Sequence, residues 1–225
     1  MSRIHRLLPA YSQLCVPSTV STIFSAAGLR TEGVVRWAQP VPESRSGVYV
    51  VSLTDDPSAL PASAAEPPLS MEAIEHLLAV RPQLTLDGAR PTPHALAERI
   101  GSFWFPDEVA LYIGRAGVAA RPRALRTRIR EYYTTPLGAR KPHAGGWFLK
   151  TLENLPELFV HYAAVADPER AESEMTREYC GSVSKAALAA VRDPDRPFPF
   201  ANLEWPKGVR KNHGIVGARG ELPPP

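Results

Sequence analysis

Cationic side chains that could bind phosphate groups are concentrated in one stretch of the sequence. Between Arg115 and Lys150 there are nine arginine and lysine residues and a single acidic residue, Glu131. Such an imbalance is typical of a surface that faces a polyanion. A solvated helix face gives the same pattern, so both interpretations stay open at this point.

Two tyrosine-containing tripeptides lie on predicted strands upstream of most of these cations. Gly47-Val48-Tyr49 begins one β-branched run, and Tyr112-Ile113-Gly114 ends a second one. The chain continues with a helix carrying Arg128, a helix carrying several glutamates, and the sequence PFPFAN, which ends at Asn202. This order, over about residues 46–202, resembles that of the GIY-YIG nuclease family, with valine in place of the first isoleucine.

The resemblance implies metal-dependent hydrolysis of phosphodiester bonds. That reaction needs an activated water, stabilisation of the charge that develops on the phosphate, and assistance to the leaving oxygen. By motif position, Tyr49 helps to activate the water, while Tyr112 and Arg128 orient and neutralise the phosphate. Glu172 holds one Mg²⁺ (or Mn²⁺) ion, and Asn202 supports the metal or phosphate region.

A tyrosine can act as a base near neutral pH only if its pKa is lowered. An unperturbed phenol has a pKa of about 10. A pocket rich in cations and holding a metal would lower the pKa of Tyr49 and Tyr112, and the neighbouring arginines are consistent with this expectation. The alternative is that both residues are ordinary aromatic side chains, half-buried on a sheet.

The position four residues after the arginine is often a histidine in the family, and here it is Tyr132. Tyrosine can donate a hydrogen bond to phosphate but is a poor proton shuttle near neutral pH. His143, in KPHAGGW, is a second candidate for the missing imidazole. A histidine that merely lies on a basic, glycine-rich loop is the other interpretation.

Glu172 is the predicted metal ligand because of its place on its helix. At helical spacing the apolar face runs through Ala171, Met175 and Tyr179, and Glu172 lies close to it, whereas Glu174 points away. A carboxylate facing inward is costly unless it is paired or bound to a metal. An ion pair with a nearby arginine is the alternative.

The remaining cationic residues are predicted to contact nucleic acid. On the helix over residues 124–133, Arg128 borders the apolar stripe, whereas Arg126 and Arg130 lie on the other flank and face DNA backbone or solvent. The full predicted contact set is Arg115, Arg121, Arg123, Arg126, Arg130, Arg140, Lys141 and His143.

The secondary structure predicted around these residues indicates an α/β (α+β) fold, with a small antiparallel three-stranded sheet flanked by helices. Strands are predicted over 33–37, 47–54, 109–113, 148–152 and 158–166, and helices over 20–27, from Ser70, over 93–100, over 124–133 and over 168–183. The chain divides into an N-terminal arm (1–45), a core (46–206) with an insertion at about 55–107, and a basic C-terminal tail (207–225), which contacts DNA or is disordered.

Composition narrows the protein class. Hydrophobic residues make up 44% and charged residues 22% of the chain, which is typical of a globular protein. The sequence has no long apolar run for a membrane helix, and its first 15 residues make a poor signal peptide, so we expect a cytoplasmic protein with no membrane partner. The two cysteines, Cys15 and Cys180, are expected to be reduced thiols.

The sequence therefore predicts a metal-dependent endonuclease that acts on double-stranded DNA, most simply a type II restriction enzyme, with monomer and homodimer both open. Two alternatives belong to other classes. One is a nucleic-acid-binding module of the same fold without hydrolytic activity, favoured by Tyr132 and the long insertion. The other is a small-molecule enzyme of unrelated α/β fold, for which the sequence offers no cofactor motif.

Overall fold

The structure, a computed structural model, describes residues 17–60, 66–106, 108–143 and 145–220. Its strands are β1 (Gly33–Arg36), β2 (Gly47–Ser52), β3 (Thr85–Leu86), β4 (Ala110–Val118), β5 (Arg121–Pro122), β6 (Phe159–Ala164) and β7 (Ile215–Val216). Its α-helices are α1 (Val20–Ala26), α2 (Met71–Val80), α3 (Pro93–Gly101), α4 (Leu125–Thr134), α5 (Pro168–Ser182) and α6 (Lys185–Ala190).

The prediction of a three-stranded sheet is wrong. Within the described residues the main sheet has five antiparallel strands in the order β1-β6-β2-β4-β5, and β3 and β7 form a separate two-stranded sheet. The short strand β1 adds to the free edge of β6. The chain turns back after Gly117, whose φ is +81°, so that β5 pairs with the end of β4. The strand predicted over 33–37 is β1, whereas β5, with only two residues, carries no alternating pattern that would predict it.

The central strand β2 is buried on both faces, and this divides the core in two. Because successive side chains of a strand point to opposite faces, Tyr49 and Val51 pack with α2, α3 and α4, whereas Val48 and Val50 pack with α1 and α5. The sheet is therefore covered by helices on both sides. The two tyrosine-bearing strands, β2 and β4, lie next to each other between these layers.

The predicted helices form where their capping residues indicate. The side chains of Ser70, Thr92 and Asp167 accept hydrogen bonds from the backbone N–H groups at the starts of α2, α3 and α5. Helix α4 begins after Ala124 without such a cap. These four predicted helices are confirmed to within a few residues, and α2 and α3 occupy the predicted insertion.

One predicted strand is a helix. Most of the strand predicted over 148–152 lies in a single 3₁₀ segment, Trp147–Thr151, which follows Gly146 in the left-handed conformation, with φ of +62°. A short, mostly apolar run is compatible with either structure, and only its packing decides which one forms. The other long predicted strand is β6, as expected.

The two ends of the sequence contribute more to the fold than expected. In the N-terminal arm, α1 packs against α5, and β1 joins the main sheet. In the predicted C-terminal tail, Ile215 and Ala218 are buried in the core beside β3. The predictions for the signal peptide and Cys15 lie outside the described residues. Over the described ranges, the chain contains no helix of the length and apolar character needed to cross a membrane.

Candidate active site

The two predicted catalytic tyrosines are brought together by the register of β2 and β4. Tyr49 pairs with Gly114, and Val51 pairs with Tyr112, which places both phenol rings on the same face with centroids 5.9 Å apart. A Cβ atom at Gly114 would lie 2.6 Å from the Tyr112 ring and 2.7 Å from the Tyr49 ring. The glycine of this tripeptide is therefore required, because any larger residue would push the two phenols apart.

Tyr112 and Tyr49 differ in access to solvent. Tyr112 lines two adjacent cavities, whereas Tyr49, only 1% exposed, lines neither of them and lies behind it. At the inner end, the Tyr49 hydroxyl lies 3.3 Å from Nε2 of His143. The three groups form a row that runs from the cavities into the core.

His143 is buried, whereas a residue that contacts nucleic acid, as predicted, would be exposed at the surface. It is 3% exposed, and its ring stacks on Tyr132 with centroids 4.1 Å apart and an angle of 6°. Its Nδ1 has no hydrogen-bond partner among the described residues. Burial, together with the charges of Arg128 and Lys150, lowers the pKa of His143 to about 3. The imidazole is therefore neutral, and its contact with Tyr49 is a hydrogen bond between two uncharged groups.

Tyr132 supports this row of groups instead of facing phosphate. Its ring packs 5.3 Å from that of Tyr112, and its hydroxyl donates a hydrogen bond of 2.7 Å to the carbonyl of Gly146. The side chain is 1% exposed. In this arrangement Tyr132 holds the Gly146 loop and the His143 ring in place.

The arginines alone do not bring the pKa of either phenol below its ordinary value. Burial raises the pKa of Tyr112 to about 12 and raises the pKa of Tyr49 well above its ordinary value. The charge of Arg128 acts in the opposite direction on both phenols, but burial has the larger effect. Both tyrosines are therefore protonated hydrogen-bonding groups at neutral pH.

An arginine cleft of about 570 Å³ opens beside Tyr112 at the outer end of β4. We use this name for the cavity lined by Tyr112, Arg115, Gly117, Val118, Arg121, Pro122, Arg123, Arg128 and Glu172. Its polar groups are four guanidinium groups, one phenol and one carboxylate. Helix α4 supplies Arg128, α5 supplies Glu172, and the turn between β4 and β5 supplies the rim. The structure thus brings Tyr112, Arg128 and Glu172, three of the predicted catalytic residues, to one cavity, and Tyr49 does not line it.

Glu172 is held by an arginine, which was the alternative to metal binding. Its Oε2 accepts from Nε of Arg115 at 2.7 Å, and the same guanidinium also contacts Glu169 at 3.1 Å. Burial raises the pKa of Glu172, while the charges of Arg115 and Arg128 lower it in part. The carboxylate is thus poorly solvated and faces the cleft, where a cation would stabilise it.

Glu172 fits a magnesium ion only as a single protein ligand. Among the residues that the structure describes, no group of three His, Cys, Asp or Glu side chains is placed to hold a metal. Mg²⁺ is commonly bound by one or two carboxylates, with water and substrate phosphate supplying the other ligands. The lone carboxylate at the cleft is compatible with that form of binding.

The other predicted DNA contacts separate into three groups. Arg115, Arg121 and Arg123 line the arginine cleft. Arg126 and Arg130 line a different cavity of about 600 Å³, next to Tyr133. Arg140 and Lys141 are exposed on the loop that follows α4. The cationic stretch therefore does not form one continuous surface.

Asn202 is tied to the strand that carries Tyr112. Its Oδ1 accepts from the backbone N–H of Ile113 at 2.9 Å, and its Nδ2 donates to the Ile113 carbonyl at 2.8 Å. The N–H of Ala201 also donates to the Leu111 carbonyl. Asn202 thus provides hydrogen-bond partners for the backbone of β4 on its free edge, where no strand pairs with it at this point. This contact positions Tyr112.

Sequence reasoning missed the part played by residues 210–219. They form most of one wall of a second cavity, of about 550 Å³, which shares Tyr112 and Glu172 with the arginine cleft. The apolar residues Ile215, Val216 and Ala218 inside this basic segment were the available signal. The burial of Ile215 and Ala218 accompanies the pairing of this segment with β3, far away in the sequence, which local patterns do not reveal.

Comparison with family models, curated proteins and solved structures finds no match to this chain. The function is therefore inferred from the chemistry of the arginine cleft.

Proposed function

We propose that this chain is a divalent-metal-dependent endonuclease that hydrolyses phosphodiester bonds in double-stranded DNA, and more narrowly a type II restriction enzyme of the GIY-YIG family. One observation carries the proposal. Tyr112, Arg128 and Glu172 are far apart in the sequence, yet they line one cleft whose other polar groups are three further arginines. A phenol, guanidinium groups and a carboxylate are the groups that phosphodiester hydrolysis uses.

The cleft is suited to bind a phosphate group of the DNA backbone. Arg128 is one-quarter exposed and 3.9 Å from Glu131, so its guanidinium retains donors for a ligand. Guanidinium groups bind phosphate through paired, charge-assisted hydrogen bonds. The neutral phenol of Tyr112 adds a donor. Together they would hold a phosphate and stabilise the additional negative charge of the transition state.

Glu172 would hold the metal ion. A bound divalent cation polarises a phosphate oxygen and lowers the pKa of a bound water. Glu172 is already fixed in position by Arg115, and this fixes where a cation can be held.

The row Tyr112, Tyr49 and His143 would hold the attacking water through a chain of hydrogen bonds. Tyr112 would contact the water, and Tyr49 and His143 would fix the Tyr112 hydroxyl from behind. As the water oxygen bonds to phosphorus and the bond to the leaving sugar oxygen breaks, the water loses its proton to solvent. The leaving oxygen takes a proton from solvent. In this scheme, Tyr112 meets the water, a role that motif position alone gives to Tyr49.

The decisive test is cleavage of supercoiled plasmid with Mg²⁺ or Mn²⁺. The wild type should nick or linearise the plasmid, and Glu172→Gln should lower the rate by about 100-fold while DNA affinity changes by about threefold or less. Glu174→Gln is the matched control, because Glu174 is on the same helix and also pairs with an arginine, at 2.8 Å. Full activity of Glu172→Gln would contradict the assignment.

A binding module without hydrolytic activity is the second candidate. The ion pair between Glu172 and Arg115 favours it, since Arg115 already neutralises the carboxylate. In that case no plasmid is cut with either metal, while DNA binding remains and weakens steeply with salt.

A further inference from the structure

The second cavity, which borders the arginine cleft, has the features of a ligand site. We call it the C-terminal cavity; it is lined by Tyr112, residues 145–147, Glu172, residues 201–204, residues 210–211 and residues 213–219. Its volume of about 550 Å³ is within the range of ligand pockets, about 300–1,000 Å³. Because it shares Tyr112 and Glu172 with the arginine cleft, a ligand spanning both would pass over these two side chains.

Gly145 forms the part of the C-terminal cavity wall that lies next to Tyr112. A Cβ atom at Gly145 would lie 2.9 Å from the Tyr112 hydroxyl. Glycine at this position therefore keeps open the space between the loop and the phenol, and it leaves the backbone accessible to a flat or extended group.

Cationic groups crowd this cavity. Arg210 is exposed and pairs with Glu204 at 2.8 Å, whereas the ammonium of Lys211 points away, to the carbonyls of Pro199 and Phe200. Burial and the nearby charges of Arg210 and Arg140 lower the pKa of Arg219. Burial, followed by the charges of Lys211, Arg219, Arg210 and Arg99, lowers the pKa of His213 to about 4. Cations that disfavour one another's charge create a positive potential that an anion would relieve.

We propose that the C-terminal cavity binds the nucleotide next to the scissile phosphate on the strand being cut, with its phosphate on Arg210 and Arg219 and its base or sugar against the Gly145 wall. This inference rests on the proposed function. The chemistry that is recognised is a nucleotide phosphate, which could belong to DNA or to a free nucleotide. Continuity with the arginine cleft favours DNA, because neighbouring phosphates of one strand need cations on both sides of Tyr112.

The test is binding of fluorescein-labelled DNA duplexes, measured by anisotropy in EDTA so that no strand is cut. Arg210→Gln and Arg219→Gln should each raise the Kd about three- to tenfold, and the double variant should lower the salt slope by about 2. Arg170→Gln is the matched control. Its side chain is 75% exposed and pairs with a glutamate at 2.8 Å, as Arg210 does at 72%, but it lines neither cavity. The control should change the Kd by about twofold or less.

Circular dichroism and thermal unfolding establish that each variant folds; if Arg219→Gln does not, Arg210→Gln and Arg219→Lys decide. An unchanged Kd and salt slope in the folded variants would overturn the proposal.

Competition with a free deoxynucleoside monophosphate and with inorganic phosphate separates the two sources. Displacement of duplex by the monophosphate at micromolar concentration, lost in the variants, would overturn the strand assignment in favour of a free nucleotide. Loss of duplex binding in the variants supports the cavity assignment even if the wild type cuts no plasmid. The absence of cleavage would contradict only the proposed hydrolytic activity.

Discussion

The chemistry of the site depends on which side chain is in front and which is behind. Tyr49 and Tyr112 have the same residue type and lie on neighbouring strands, yet Tyr112 reaches the cavities and Tyr49 contacts His143. Burial keeps both phenols protonated and the imidazole neutral. The three groups are therefore uncharged hydrogen-bonding groups, and they are suited to hold the Tyr112 hydroxyl in place.

Tyr49→Phe should interrupt this row without changing the fold. We expect the cleavage rate to fall by about 100-fold, because the Tyr112 hydroxyl then loses the hydrogen bond that positions it from behind. Loss of the hydrogen bond to His143 should cost about 1 kcal/mol of unfolding free energy. Rates of plasmid cleavage and urea unfolding measure the two effects.

Tyr179→Phe is the control for this prediction. Tyr179 is also 1% exposed but belongs to the core on the opposite face of the sheet. It should retain the wild-type rate. If Tyr49→Phe cleaves as fast as Tyr179→Phe, the Tyr49 hydroxyl has no part in positioning Tyr112.

At the scale of elements, strand β4 connects the fold to the site. It pairs with β2 on one side, and on the other side Asn202 takes the place of a neighbouring strand. The side-chain amide is suited to this position because it carries one donor and one acceptor, as a backbone peptide group does. Asn202 can therefore position Tyr112 although it is far from β4 in the sequence.

Asn202→Leu should destabilise the protein by about 2–3 kcal/mol, since it leaves the N–H and the carbonyl of Ile113 without partners. Urea unfolding measures this loss. If Asn202 positions β4, the folded variant should keep its DNA affinity and lose part of kcat. Asn212→Leu, at an exposed position, should change stability by about 0.5 kcal/mol or less. An Asn202→Leu protein of wild-type stability would mean that the amide has another role.

The sequence predicted those elements whose signals are local. Helices α2, α3 and α5 have capping residues and apolar spacing, and strands β2 and β4 are continuous apolar runs. The pairing of β1 with β6, the 3₁₀ segment at Trp147–Thr151 and the buried C-terminal residues depend on partners distant in sequence. For the same reason motif order located Tyr112, Arg128 and Glu172 but revealed neither the burial of His143 nor the pairing of Glu172 with Arg115.

At the scale of the whole molecule, buried histidines link stability to pH. Burial lowers the pKa of His143 to about 3 and that of His213 to about 4, both below the ordinary value of 6.5. Between pH 4 and pH 6.5 these histidines bind protons in the unfolded chain but not in the folded chain. The stabilisation is therefore complete above pH 6.5 and is lost as pH falls toward 4.

The unfolding free energy should decrease by up to about 2.7 kcal/mol per pH unit around pH 5, about half of it from each histidine. Urea unfolding at pH 7, 6 and 5 measures this slope. His143→Gln should reduce the slope by about half, whereas His76→Gln, at an exposed position, should leave it unchanged. A stability that is constant from pH 7 to 5 would show that the two histidines are not buried as neutral groups.

The order of synthesis gives the C-terminal cavity a further property. Residues 210–219 leave the ribosome after every other part of its lining has been made. A nascent chain that ends before residue 210 can form strands β2 and β4 but has no closed binding site on that side of Tyr112. If the chain acts on DNA as proposed, translation itself delays that activity until the final part of the cavity wall has been added.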